Sequence, residues 1–200
     1  LPRGWHRTYP HLMTTEAVKG FEFITFFQEV ADVEANHSAM LPFTRNVFDP
    51  MDFTPMCFSN IPNIDRKTTN GFELALPTLF LSGIQHLAEI PQGMAAVPDY
   101  VQDYLKGLPV AWDETQFIEG FPGKLAVMAR RSGSDWYVTG INGENVQKDL
   151  SLDLSFLKGK SGYLITDGEA HPEFERTDIQ VNGSYPISIK ANGGFVMRLK

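Results

Sequence analysis

The sequence predicts an α+β chain in two parts. A helical segment with short buried strands runs to about residue 110, and a small antiparallel β-sandwich occupies 111–200. Most of the helical apolar spacing lies in the first part, as in Phe21, Ile24, Phe27, Val30 and Ala31. Strict two-residue alternation is confined to the second, where Leu150, Leu152, Leu154 and Phe156 interleave with Ser151, Asp153 and Ser155. Turn residues recur at short intervals only there: Gly133, Gly143, Asp167-Gly168, Asn182-Gly183 and Asn192-Gly193-Gly194.

Taken in order, the first helix covers Phe21 to Glu34, with Phe23 and Phe26 widening its apolar face. A second runs from Phe72 to Glu89 with little polar surface, so it is expected to be deeply packed. Asn70 and Glu73 have capping-box spacing before it, and Pro77 must kink its first turns or mark its true start. A third, Pro98 to Leu105, tolerates proline in its first turn. Two apolar pieces, Leu12 to Thr15 and Met51 to Thr54, end beside Glu16 and Asp52. A short buried strand, a polar loop and a helix form the repeating unit of a parallel α/β barrel or sheet. The alternative is an irregular helical linker. From Trp112 the expected strands are Lys124–Arg131, Asp135–Asn142, Leu150–Phe156, Ser161–Asp167, Asp178–Val181, Tyr185–Lys190 and Phe195–Leu199.

Composition narrows the function classes. The 200 residues (22.4 kDa) are 42% hydrophobic and 20% charged, a globular balance. Twenty-four acids against 17 Lys plus Arg leave a formal charge of −7, which disfavours nucleic acid and anionic membranes as partners. One cysteine, Cys57, excludes an internal disulfide framework and any multi-cysteine metal site. No apolar run reaches the roughly 18 residues of a spanning helix, so membrane insertion is not expected. Leu1-Pro2-Arg3 carries no leader features and reads as an internal cut.

The residues that can carry chemistry lie in the first 60. Glu16 and Glu22 follow one apolar piece, and Asp52 sits on the other. A carboxylate at the carboxyl end of a barrel strand can act as a general acid or bind a hard cation. By spacing alone these acids could equally be solvated surface groups. His6, His11, His37, His86 and His171 form no H-x-x-x-H pair, and His86 reads as a core or boundary histidine of the second helix. Cys57 has no close histidine to activate it. Asp113 and Glu114 are expected to tie the two halves together by charge.

Several blocks, in order, resemble glycoside hydrolase family 97, which contains α-glucosidases and α-galactosidases. They are Gly4-Trp5-x-Arg7-Thr8-Tyr9-Pro10, Glu16-Ala17-Val18-x-Gly20-x-Glu22, Leu41-Pro42-Phe43-Thr44-Arg45-Asn46, Pro50-Met51-Asp52-Phe53-Thr54-Pro55 and Trp112-Asp113-Glu114-Thr115. The resemblance implies that residues 1–110 are the last βα units of a catalytic (β/α)8 barrel. Residues 111–200 would be the C-terminal antiparallel β domain that follows it. It implies a calcium ion, with Glu16 and Glu22 among its ligands, and Glu22 as general acid. The partner, a base in inverting members or an aspartate nucleophile in retaining ones, would lie upstream of Leu1. A nearby cation favours ionised Glu22, whereas a general acid must start protonated, so burial or Glu16 would have to push the other way. His37 and Asp52 match family positions suited to substrate contact or to scaffolding the site. The implied partner is an oligosaccharide substrate and the implied location periplasmic or extracellular. Self-association is expected if barrel edges are exposed. A non-catalytic sugar-binding or structural β-sandwich is the alternative. It would need exposed aromatics on one sheet face, and of Trp136 and Tyr137 only one is expected to point outward.

Overall fold

The structure, a computed structural model, describes residues 4–170 and 173–200; Leu1, Pro2, Arg3 and His171, named above, lie outside the described residues. The first half contains α1 (Trp5–Thr8), α2 (Phe21–Ile24), α3 (Gln28–Met40), α4 (Arg45–Phe48), α5 (Asn70–Leu79), α6 (Pro91–Ala96) and α7 (Asp99–Lys106). The expected first helix is broken. The Thr25 hydroxyl donates to the Phe21 carbonyl at 2.8 Å, and Phe27 turns extended before α3 begins. α3 buries Val30, Ala31, Glu34, Ala35, Ser38 and Ala39, a face narrow enough for close packing. α5 is capped by Thr69, whose hydroxyl accepts the Phe72 N–H at 3.2 Å, so Asn70 lies inside the helix rather than capping it. It stops at Leu79, far short of Glu89, because Phe80 is extended. His86 accordingly lies off any helix and is exposed, not a core residue.

The two expected strands reduce to one parallel bridge between Thr15 and Met51, with the Asp52 N–H donating to the Thr15 carbonyl at 2.9 Å. Met51 and Phe53 are buried there.

Residues 111–200 are an antiparallel two-sheet domain. Its strands are β1 (Glu114–Phe121), β2 (Leu125–Ser132), β3 (Asp135–Asn142), β4 (Lys148–Asp153), β5 (Ser161–Asp167), β6 (Phe174–Gln180), β7 (Ser184–Ile189) and β8 (Gly194–Leu199). A six-stranded sheet has the order β1-β2-β3-β8-β5-β6, and β4 pairs β7 in a second. Leu152, Leu154 and Ile189 pack against Val127, Val138, Phe195 and Met197 to make the core between them. β1 was not expected as a strand, and β6 starts four residues earlier than Asp178. Both are sheet edges, where half-exposed positions weaken the apolar alternation. Of the turn residues proposed above, Gly133, Gly183 and Asn192 have positive φ; Gly143, Gly168, Gly193 and Gly194 do not.

The other face of the large sheet is covered by the helical half. Trp136 points into the sandwich core and Tyr137 into the core shared with α5 and α7, so both are buried and neither offers a sugar platform. α5 lies across β3 and β8. A Cβ on Gly71 would come within 2.5 Å of the Gly194 carbonyl, and one on Gly194 within 2.7 Å of Phe72 Cα, so glycine at both positions permits the approach. At the start of α5, Asp167 of β5 accepts the Gly71 N–H and the Thr69 hydroxyl, each at 2.7 Å. At its end the buried Arg130 of β2 donates to the Thr78 and Leu79 carbonyls, each at 2.8 Å. An acid at the N-terminus and a cation at the C-terminus complement the helix dipole. These two residues tie the halves together. Asp113 and Glu114 instead pair with Arg131 within the sheet domain, at 3.6 Å and 3.1 Å.

Candidate functional site

The four candidate residues lie around the loop from Thr15 to Phe21 and the segment that bridges it. The Phe21 N–H donates to the Thr54 carbonyl at 3.0 Å, and a Cβ on Gly20 would sit 2.9 Å from Thr54 main-chain atoms. This contact starts α2 against the end of the Met51–Thr54 segment. Glu22, exposed in the first turn of α2, therefore meets Thr54, whose hydroxyl donates to Glu22 Oε1 at 3.0 Å.

Glu16 follows the bridge residue Thr15 directly, and its side chain is exposed. Arg45 holds its main chain from behind. Nη2 donates to the Thr15 carbonyl and hydroxyl, each at 2.7 Å, and Nε to the Glu16 carbonyl at 3.3 Å. Ala17 then takes φ +85°, a left-handed conformation that strains a non-glycine residue. Met56, just beyond Thr54, is similarly strained at φ +73°.

His37 is half-buried, and its Nε2 accepts the Lys19 N–H at 3.3 Å. Burial, then the Lys19 charge, pushes its pKa below the ordinary histidine value. The ring acts as a neutral acceptor that pins the loop between Glu16 and Glu22. Asp52 spends its N–H on Thr15 and leaves Oδ1 buried without a hydrogen-bond partner. Cys57 is buried and its thiol is pushed up to about 11, mainly by burial, which makes it a poor nucleophile.

The structure thus brings Glu22 to Thr54, two residues from Asp52, and sets His37 of α3 against the loop that carries Glu16. Thr54 and Ala17 lie in the sequence blocks already noted, but nothing there shows their roles, which depend on approach between distant segments. Among the described residues no three His, Cys, Asp or Glu side chains are grouped closely enough to hold a metal ion. Glu16 and Glu22 alone therefore do not make a calcium site. A cleft of about 440 Å³ lined by Phe58, Ser59, Val97, Glu173 and Phe174, among others, includes none of the four candidates. No described helix is long and apolar enough to cross a membrane.

The class is a helical segment that presents two exposed carboxylates, Glu16 on a loop and Glu22 in the first turn of α2, seated on an antiparallel β-sandwich. Residues 111–200 match the family described as glycosyl-hydrolase 97 C-terminal, oligomerisation. The whole chain is 31% identical, over 216 aligned residues, to a retaining alpha-galactosidase of Bacteroides thetaiotaomicron, of which it spans 32%. Seventy per cent of it is 42% identical to a probable retaining alpha-galactosidase of Streptomyces bingchenggensis, spanning 21% of that protein. A crystal structure of a beta-arabinopyranosidase superposes with TM-score 0.92 at 35% identity, covering 99% of this chain and 33% of that one. A family 97 enzyme from Pseudoalteromonas sp. strain K8, in complex with panose, gives 0.80 at 27% identity, covering 98% and 33%. The chain belongs to glycoside hydrolase family 97 and is a C-terminal portion of such a protein.

Proposed function

We propose that residues 1–110 complete the catalytic barrel of a retaining α-glycosidase, acting on α-galactosides, and that Glu22 is its general acid. The observation that carries this is the loop itself. Two exposed carboxylates follow the parallel bridge at Thr15 and Met51, on a main chain held by Arg45, His37 and Thr54. Loops after parallel strands hold the chemistry in barrel enzymes. Glu22 would protonate the departing glycosidic oxygen. Retention requires a second carboxyl roughly 5 to 5.5 Å away as nucleophile, supplied by the rest of the protein. Thr54 orients the Glu22 carboxyl, His37 fixes the loop, and Asp52 scaffolds the bridge. Two relatives named as a retaining and a probable retaining alpha-galactosidase support α-galactosides, rather than α-glucosides, as the substrate class proposed here.

For calcium, Glu16 and Glu22 would supply two oxygen ligands to a set completed outside this chain; no step of the reaction is routed through the ion. Residues 111–200 would also serve assembly, as their family description suggests. A periplasmic or extracellular location fits an enzyme working on exogenous oligosaccharide.

The test uses the full-length protein. It should hydrolyse p-nitrophenyl α-galactoside faster than the α-glucoside, and proton NMR should show the α-anomer released first. A β-anomer released first would overturn retention, and turnover of neither glycoside would overturn the enzymatic reading.

A further inference from the structure

We propose that Glu34 and Glu73 share a single proton inside the helical half and form a pH-sensitive clamp between α3 and α5. Both side chains are buried, 2% and 0% exposed. The Thr68 hydroxyl lies between them, donating to Glu73 Oε1 and standing 3.3 Å from Glu34 Oε2. That leaves one oxygen on each carboxyl, Glu34 Oε1 and Glu73 Oε2, buried without a hydrogen-bond partner, while the Cys57 backbone N–H also bears on the Glu73 carboxyl. Two such oxygens on neighbouring carboxyls are both satisfied by one proton held between them, as in other paired carboxyl groups.

The surrounding charges agree. The facing cation is Arg66, with Nη1 4.0 Å from Glu73. Cys57, on the segment after Thr54, is held as a neutral thiol, with Glu89 beyond it. One guanidinium against two carboxylates leaves one surplus negative charge in a dry site, and one proton removes it. Burial first, then Glu73, pushes the Glu34 pKa well above the carboxylate range, and burial likewise raises Glu73.

The sign follows. A carboxyl whose folded pKa is raised keeps its proton when the unfolded chain has lost it. The clamp's stabilisation is complete below about pH 4.3. It is lost as pH rises toward the raised folded value, by up to about tenfold in the folded-to-unfolded ratio per pH unit. α3 also carries His37, so the same helix holds both the clamp and the carboxylate loop.

Infrared spectroscopy of the full-length protein, with glutamate carrying 13C at the side-chain carboxyl, tests this. The isotope separates glutamate from Asp167, whose pKa burial also raises. At pH 7 a protonated glutamate carbonyl band should be present in the wild type and absent from both Glu34→Gln and Glu73→Gln. Thermal midpoints should fall with rising pH more steeply in the wild type than in either variant. If a variant does not fold, the wild-type band still decides. No protonated glutamate band at pH 7, or identical pH profiles in wild type and folded variants, would overturn the proposal.

Discussion

Ala17 and Glu16 show how much of the site depends on single backbone choices. The left-handed φ at Ala17 costs about 1 to 3 kcal/mol that glycine would not incur, against about 0.4 to 1 kcal/mol of extra chain entropy in a Gly variant. Ala17→Gly is therefore expected to raise stability by about 1 kcal/mol in urea denaturation, while freeing Glu16 and lowering activity. Gly20→Val should lower activity by a clash instead: its side chain would collide with Thr54, shift α2 and lower kcat of the full-length protein at least tenfold with the fold retained by circular dichroism. His37 sets a pH dependence. Its folded pKa lies below the ordinary value, so the folded state resists protonation. Stability should fall as pH drops below about 6.5, and His37→Gln should flatten that limb of a Tm-against-pH curve. The positions of Glu16, Glu22 and Asp52 beside the two bridged segments were legible from the apolar pieces, but spacing alone did not separate them from solvated surface acids. Arg45 and His37 as clamps of that loop were not, since each acts on residues 18 or more positions away.

Among the elements, α5 is the hinge of the architecture. The sequence shows its deep burial, because its apolar positions leave little polar surface, but not its length: the apolar run continues to Leu87 while the helix ends at Leu79. Nor does it show the partners of the helix ends, which come from β2 and β5. Arg130 is held by burial at about 10, below an ordinary guanidinium but still charged at neutral pH. Arg130→Met leaves two helix carbonyls buried without donors and should cost about 3 kcal/mol, seen as a lower urea midpoint at unchanged m-value. The strands were more legible. Central β3 and β8 show their apolar content directly, whereas edge strand β1, with Phe117 and Phe121 exposed, does not.

For the molecule as a whole, the two halves differ in how well they cover themselves. Among the described residues, the exposed large apolar side chains beyond residue 110 are Phe117, Phe121, Val146 and Phe156; all the others, including Phe26 at 76% and Val33 at 53%, lie in the helical half. Its parallel segments also meet in a single bridge, too little to stand as a sheet. Both features fit a segment completed by neighbouring structure, and sedimentation velocity on the 200-residue chain alone should show self-association. A monodisperse monomer would count against that reading.

Protonation of the leaving group by Glu22 is tested most directly by varying that group. In the full-length protein, Glu22→Gln should lose about 10²- to 10⁴-fold in kcat/KM on an unactivated α-galactosyl disaccharide. It should lose far less on p-nitrophenyl α-galactoside, whose leaving group needs little protonation. Equal losses on both substrates, or none on either, would contradict it.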